Sequence, residues 1–164
     1  MFEKFGEFDS VEELNMAAAG FVKEGDFDSV YKLAEENGID KEDADDYLDG
    51  ITEVLATLPM AAQGRLDIEE KDKTVKDAME KMAMSVIMLM LRGMCESEEM
   101  QKAVLKKGKR AKNILQAMRA EAKKNASGGM GISCGTDRQL RGIIKSYYLD
   151  SEEQFKQKIT NLYQ

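Results

Sequence analysis

Apolar residues recur at intervals of three and four through most of the chain, and runs that alternate apolar with polar positions are nearly absent. The first spacing gathers side chains on one face of a helix and the second marks a strand, so the pattern predicts an all-α fold. Val11, Leu14, Ala17, Ala18, Phe21 and Val22 outline a first helix. Asp9-Ser10 supplies its N-cap, and Glu12 or Glu13 stands where a capping box closes. Gly25 ends it, and Asp26 starts a second short helix carrying Phe27, Val30, Tyr31 and Ala34. Gly38 sits where a left-handed C-terminal residue belongs. The phrase Phe-Asp-Ser-Val-x-x-Leu occurs at Phe8 to Leu14 and again at Phe27 to Leu33. A solenoid needs several repeats, so one recurrence predicts only two helices that start alike.

Asp40 caps a third helix through Tyr47 and Leu48, which is expected to break or bend near Gly50 and resume through Val54 and Leu58. Pro59 and Gly64 mark the next interruption. The charged stretch Asp67 to Lys73 reads as a loop or a frayed helix start. From about Thr74 a long helix follows, and its second half, Met82 to Leu91, carries no charge. Being apolar on all sides, it is expected to be buried on most of them and to form the central core helix. Six methionines between Met79 and Met94 then fill the core, the alternative being an adaptable recognition groove. Helices over Glu98 to Lys107 and Lys109 to Lys124 flank Gly108. After the glycine-rich segment Asn125 to Gly135, Thr136-Asp-Arg-Gln139 and Ser151-Glu-Glu-Gln154 open the last two helices as capping boxes. The expected architecture is a compact bundle of about seven or eight helices around the Met-rich helix. It divides into an acidic region, 1–66, and a region carrying a basic tract, 67–164, which can also form one continuous domain.

Composition narrows the chemistry. The chain has 164 residues, no His, no Trp, one Pro and two Cys. Without His there is no His-based general base and no imidazole metal ligand, and Cys95 and Cys134 alone cannot complete a zinc site. No metal, no cofactor and no enzymatic activity are expected. The longest uncharged apolar stretch, ten residues, is half of the roughly 20 that a membrane span needs. The opening Met1-Phe2-Glu3-Lys4 has no signal-peptide pattern, and two cysteines suit a reducing compartment. Those features predict a cytoplasmic protein with no membrane partner.

The net charge of −7 hides a split. Residues 1–99 carry 10 basic and 26 acidic side chains, a net of −16, and residues 100–164 carry 14 and 5, a net of +9. Asymmetry on this scale points to an interaction role at one end or both, unless the two halves neutralise each other in the fold. The acidic half centres on Asp40, Glu42, Asp43, Asp45, Asp46 and Asp49. An EF-hand frame starting at Asp45 fails, because its third position is Tyr47 and its twelfth is Ala56 rather than Glu. Those carboxylates are instead candidates for meeting a basic protein groove by charge complementarity.

The basic candidates are Lys106, Lys107, Lys109, Arg110, Lys112, Arg119, Lys123, Lys124, Arg138, Arg141 and Lys145, preceded by Lys102. Clustered cations release counterions from a phosphate backbone and bind it without regard to sequence. Lys109, Lys112, Arg119 and Lys123 recur near three-four spacing, compatible with one basic helix face. Tyr147 and Tyr148 follow the tract instead of interleaving with it, so base stacking has no support. The glycine segment Ser127 to Gly135 lacks the P-loop pattern and reads as a connector; a phosphate contact shared with Arg138 and Arg141 is its residual role. Cys134 in that segment reads as a bystander thiol.

The run Ala103-Val-Leu-Lys-Lys-Gly-Lys-Arg-Ala-Lys-Asn-Ile-Leu-Gln-Ala-Met-Arg-Ala-Glu-Ala-Lys-Lys124 resembles the central segment of PcfK-like proteins. These are accessory proteins of conjugative elements, with relatives that inhibit Cas9 as anti-CRISPR proteins. The shared features continue through the Thr136-Asp137 start to a helix ending Tyr147-Tyr-Leu149. The opening Met-Phe-Glu-Lys-Phe-Gly-Glu, with Glu36-Asn-Gly-Ile39 and Asp45-Asp-Tyr-Leu-Asp-Gly50, resembles proteins carried on mobile elements of gut bacteria. The resemblance implies a mobile-element or phage protein that inhibits Cas9 by binding Cas9 or the Cas9–guide RNA complex, with DNA or RNA as a further partner of the basic half. The alternatives are a nucleic-acid-binding accessory factor of a conjugative element, and a helical adaptor or homo-oligomer.

Overall fold

A computed structural model describes residues 2–125 and 135–163. Among these residues there are nine α-helices and no strand: α1 Val11–Glu24, α2 Phe27–Glu36, α3 Lys41–Leu48, α4 Leu58–Glu70, α5 Ala78–Met94, α6 Glu98–Leu105, α7 Ala111–Asn125, α8 Asp137–Leu149 and α9 Glu152–Tyr163. The all-α expectation holds, and the helix number exceeds the seven or eight anticipated. The chain forms two compact units, each built from two stretches of sequence. The first comprises Met1–Asp72 with Cys95–Gly108, and the second Lys73–Met94 with Lys109–Gln164. The division expected from the sequence, by contrast, cuts the chain once, at 66/67.

In the first unit, α1 packs on α2, α2 on α3, and α4 on α6. Its core gathers Leu14, Ala18, Val30, Leu33, Ala44, Leu55 and Leu105. Local chemistry sets the helix starts. The Ser10 hydroxyl accepts the Glu13 N–H at 3.3 Å, and Glu13 in turn accepts the Asp9 N–H at 2.9 Å. The repeated phrase does not start both helices alike. In α2 the cap is Asp26, whose carboxylate accepts the Ser29 N–H and hydroxyl, so the second Phe-Asp-Ser lies inside the helix. Pro59 and Gly64 do not interrupt a helix either. Pro59 occupies the first turn of α4, where its missing N–H costs nothing. Gly64 lies mid-helix because the backbone of Asn37–Gly38 passes against it, leaving no room for a Cβ. The stretch from Asp67 to Glu70 is the last turn of α4 rather than a loop.

Buried charge ties this unit together. Arg65, 3% exposed, pairs with Glu7 and donates to the carbonyls of Phe8 at 3.2 Å and Leu105 at 3.4 Å. The Glu36 carboxylate accepts the backbone N–H groups of Lys4 and Phe5 at 2.8 and 3.2 Å, fastening the N-terminal segment to α2. Asn15 pairs both ways with the Ala56 backbone, which anchors the non-helical stretch between α3 and α4 to α1.

The second unit packs α5 against α7 and α8, and α9 against α7 and α8. Ile87, Met88 and Leu91 of α5, Ile114 and Met118 of α7, and Leu140, Ile143 and Ile144 of α8 are buried, as are Phe155 and Ile159 of α9. The expectation for α5 needs correction. The helix begins at Ala78, and it is not buried on most sides: Met79, Met82 and Leu89 are 64%, 73% and 73% exposed. Met84, Met88 and Met90 do fill the core. All-round apolarity says that a helix can be buried on any face, and the positions of α7 and α8 decide which one is.

Candidate interaction surfaces

The cations singled out in the sequence have different local fates. Lys106 and Lys107 belong to the first unit, where they face acids roughly a hundred residues away in sequence. The Lys106 ammonium meets Asp9 at 3.1 Å, and the Lys107 ammonium lies 3.6 Å from Glu13. The Lys107 N–H also donates to Asp9 at 2.9 Å. That backbone donor, with the Lys106 ammonium beside it, holds the Asp9 carboxyl below its ordinary pKa.

In the second unit, Lys109 stands before α7. Its ammonium lies over the Tyr147 ring, 4.6 Å from the centroid, and donates to the Tyr147 carbonyl at 2.6 Å. The Tyr147 hydroxyl accepts from the Arg110 N–H and from the Asn113 side chain, at 3.0 and 2.9 Å. Lys112 donates to Thr74 at 3.4 Å, Arg119 pairs with Glu80, and Lys124 pairs with Glu121 at 2.9 Å. Most of the cations on or next to α7 thus have intramolecular partners, Lys123 being an exposed one with no ion pair to a described residue.

On α8 the arrangement differs. Arg138, Arg141 and Lys145 are all exposed, while Leu140, Ile143, Ile144, Tyr147 and Tyr148 on the other side are buried. The three cations make no ion pair with a described residue. Their spacing of three and four was visible in the sequence, but nothing there distinguished it from the similar spacing on α7. Tyr147 and Tyr148, packed edge to face with centroids 4.9 Å apart, present no open ring for stacking.

The acidic candidates cluster around α3. Asp40 is its N-cap residue, and Asp40, Glu42 and Asp49 are exposed. Asp43 and Asp46 are half-buried. Asp45 is engaged locally: it accepts from the Tyr31 hydroxyl at 2.6 Å and from Lys41 at 2.9 Å. These two donors lower the Asp45 pKa, and the same carboxylate raises that of Tyr31. Sequence reasoning passed over Arg65, Glu7 and Glu36, because their partners are distant in the chain and nothing local marks them for burial.

Charge follows the compact units. The first contains 9 Lys and Arg against 24 Asp and Glu, a net of −15, and the second 15 against 7, a net of +8. No group of three His, Cys, Asp or Glu side chains converges as a metal site among the described residues. None of the described helices is long and apolar enough to cross a membrane. The glycine segment read as a connector, with a phosphate contact as its residual role, falls together with Cys134 largely on 126–134, outside the described residues. No protein-family model matches the chain, and neither a curated protein nor a solved structure shows significant similarity to it.

Proposed function

We propose that this protein acts without catalysis, by binding a Cas9–guide RNA complex and blocking its DNA binding or its cleavage. The observation that carries this reading is the partition of charge between the compact units, −15 in one and +8 in the other. Effectors of this class hold an RNA–DNA heteroduplex in a positively charged channel. Carboxylates on and capping a short helix, such as Glu42, Asp40 and Asp49, compete for such a channel by charge complementarity. The cations of the second unit suit guide RNA or target DNA. The resemblance of Ala103 to Lys124 to PcfK-like proteins supports Cas9 as the target among nucleic-acid enzymes with basic channels, and the cytoplasm of a bacterial host as the setting. The test is plasmid cleavage by Cas9 with rising amounts of the full chain. Cleavage falls as the protein approaches stoichiometry with the complex, and undiminished cleavage across several Cas9 orthologues overturns the reading.

The exposed cations of α8 favour a second reading, a nucleic-acid-binding accessory factor of a conjugative or other mobile element. It requires salt-sensitive binding to DNA or RNA without any protein partner. Absence of gel retardation at low salt removes it.

A further inference from the structure

Residues at i, i+3 and i+7 of an α-helix fall within about 60° of one another. Arg138, Arg141 and Lys145 hold those positions in α8 and are exposed, on the side away from Leu140, Ile143 and Tyr147 of its buried face. Gly142 lies on the same outward side, with nothing within 4 Å of where a Cβ would stand. A chain of phosphates can therefore approach the helix closely on the flank beside Arg138 and Lys145. At a rise of about 1.5 Å per residue, Arg138 to Lys145 extends roughly 10 Å along the axis, the rise of about three phosphates on one strand of a duplex.

Two further observations narrow what this face takes. The cations on or next to α7 that have partners are directed at Tyr147, Thr74, Glu80 and Glu121, whereas those of α8 make no ion pair with a described residue. The tyrosines that follow on α8 are 8% and 6% exposed, so no ring is available to a base. Cations without a stacking platform read phosphates and not sequence.

We propose that the Arg138–Arg141–Lys145 face of α8 binds the phosphate backbone of a nucleic acid without sequence preference, contacting about three phosphates. It rests on the reading that the second unit meets nucleic acid, and it holds whether or not Cas9 is the complex involved.

The test measures binding of the full chain to labelled duplex and single-stranded oligonucleotides of two unrelated sequences, from about 50 to 200 mM salt. Two variants are compared with wild type: R138Q/R141Q/K145Q, and K32Q/K41Q/K102Q, which removes three exposed cations of the first unit for the same change in net charge. Circular dichroism checks that both retain their helix content. The α8 variant is expected to bind about 10-fold or more weakly at 50 mM salt, with its duplex salt slope shallower by about 2.7 and its single-strand slope by about 2. The control is expected to keep the wild-type slope, and the two sequences are expected to bind alike. No binding by wild type at low salt, equal losses in both variants, or an unchanged slope in the α8 variant each overturns the proposal. Cleavage assays run in parallel separate it from the Cas9 reading. Inhibition of Cas9 without binding to free nucleic acid sinks this proposal alone, and binding without inhibition sinks the other.

Discussion

Gly20 and Gly64 both sit in the interior of a helix, and propensity alone assigns them the same response to alanine. Each substitution would stabilise its helix by about 0.5–1 kcal/mol, since glycine loses more backbone freedom on folding. The surroundings separate them. A Cβ on Gly20 meets nothing within 4 Å, whereas one on Gly64 would stand 2.3 Å from the Asn37 carbonyl oxygen and 2.8 Å from that of Gly38. Both obstacles are backbone, so no rotamer change relieves them. The turn that carries them is itself held by the Ile39 N–H on the Ala34 carbonyl at 2.9 Å and the Asn37 amide on the Leu33 carbonyl at 2.9 Å. To restore ordinary contact, α4 must move by about 1 Å from α2, an overpacking cost of about 1–3 kcal/mol or more. Gly64→Ala is thus expected to destabilise by about 1–2 kcal/mol net, and Gly20→Ala to stabilise by about 0.5–1 kcal/mol. Native-state hydrogen exchange at the α2 and α4 amides reads the first unit alone, so unfolding of the second does not enter. If Gly64→Ala raises protection as Gly20→Ala does, the close passage of the two backbones is wrong.

The other expectations test burial and charge. Arg65→Ala is expected to cost about 3–5 kcal/mol in urea unfolding, because it leaves Glu7 and two carbonyls without their shared donor. Arg65→Lys recovers only part of this, since one ammonium cannot reproduce the guanidinium fork; full rescue refutes the geometry. On α5, Leu91→Ala is expected to cost about 2–5 kcal/mol and Leu89→Glu less than about 0.5, the first side chain being fully buried and the second 73% exposed. Comparable losses at both positions contradict an open outer face. Acid weakens the first unit through Asp9, Asp26 and Asp45, whose native pKa values are lowered by Lys107 with Lys106, by Ser29, and by Tyr31 with Lys41. Because the folded values lie below the unfolded ones, the stabilisation is complete above about pH 4 and is lost as pH falls through the depressed native values. In Asp45→Asn the loss as pH falls below about 4 is expected to be smaller than in wild type, and an equal loss in stability-versus-pH measurements removes Asp45 from the account.

What the sequence discloses depends on how far apart the cooperating residues are. Ser10, Thr136 and Ser151 announce helix starts because each cap and its partner lie within four residues, and the structure forms all three. Pro59 and Gly64 mislead for opposite reasons. Proline is compatible with a first helical turn, so its presence does not locate a break. Glycine in mid-helix answers to a backbone 26 positions earlier, which no local window contains. Buried charge is hidden in the same way: Arg65 looks like a surface residue until Glu7 is found beside it.

The candidate surfaces follow the same logic one level up. Counting charges along the chain finds the asymmetry, since a count needs no partners, but it cannot say which cations are spent. Lys106 and Lys107 lie within the basic tract, yet 95–108 joins the acidic unit, where they face Asp9 and Glu13. Residues 95–108 bring three lysines and three glutamates to that side and leave its net charge at −15, so the local pairing of individual cations does not erase the field of the unit. The same holds in the second unit, where Glu80 and Glu121 occupy Arg119 and Lys124 while the net charge stays at +8. A partner drawn in by the long-range field of either unit therefore finds its short-range contacts at a few positions only. On the basic unit those include the outward positions of α8, where three exposed cations in helical register make no ion pair with a described residue.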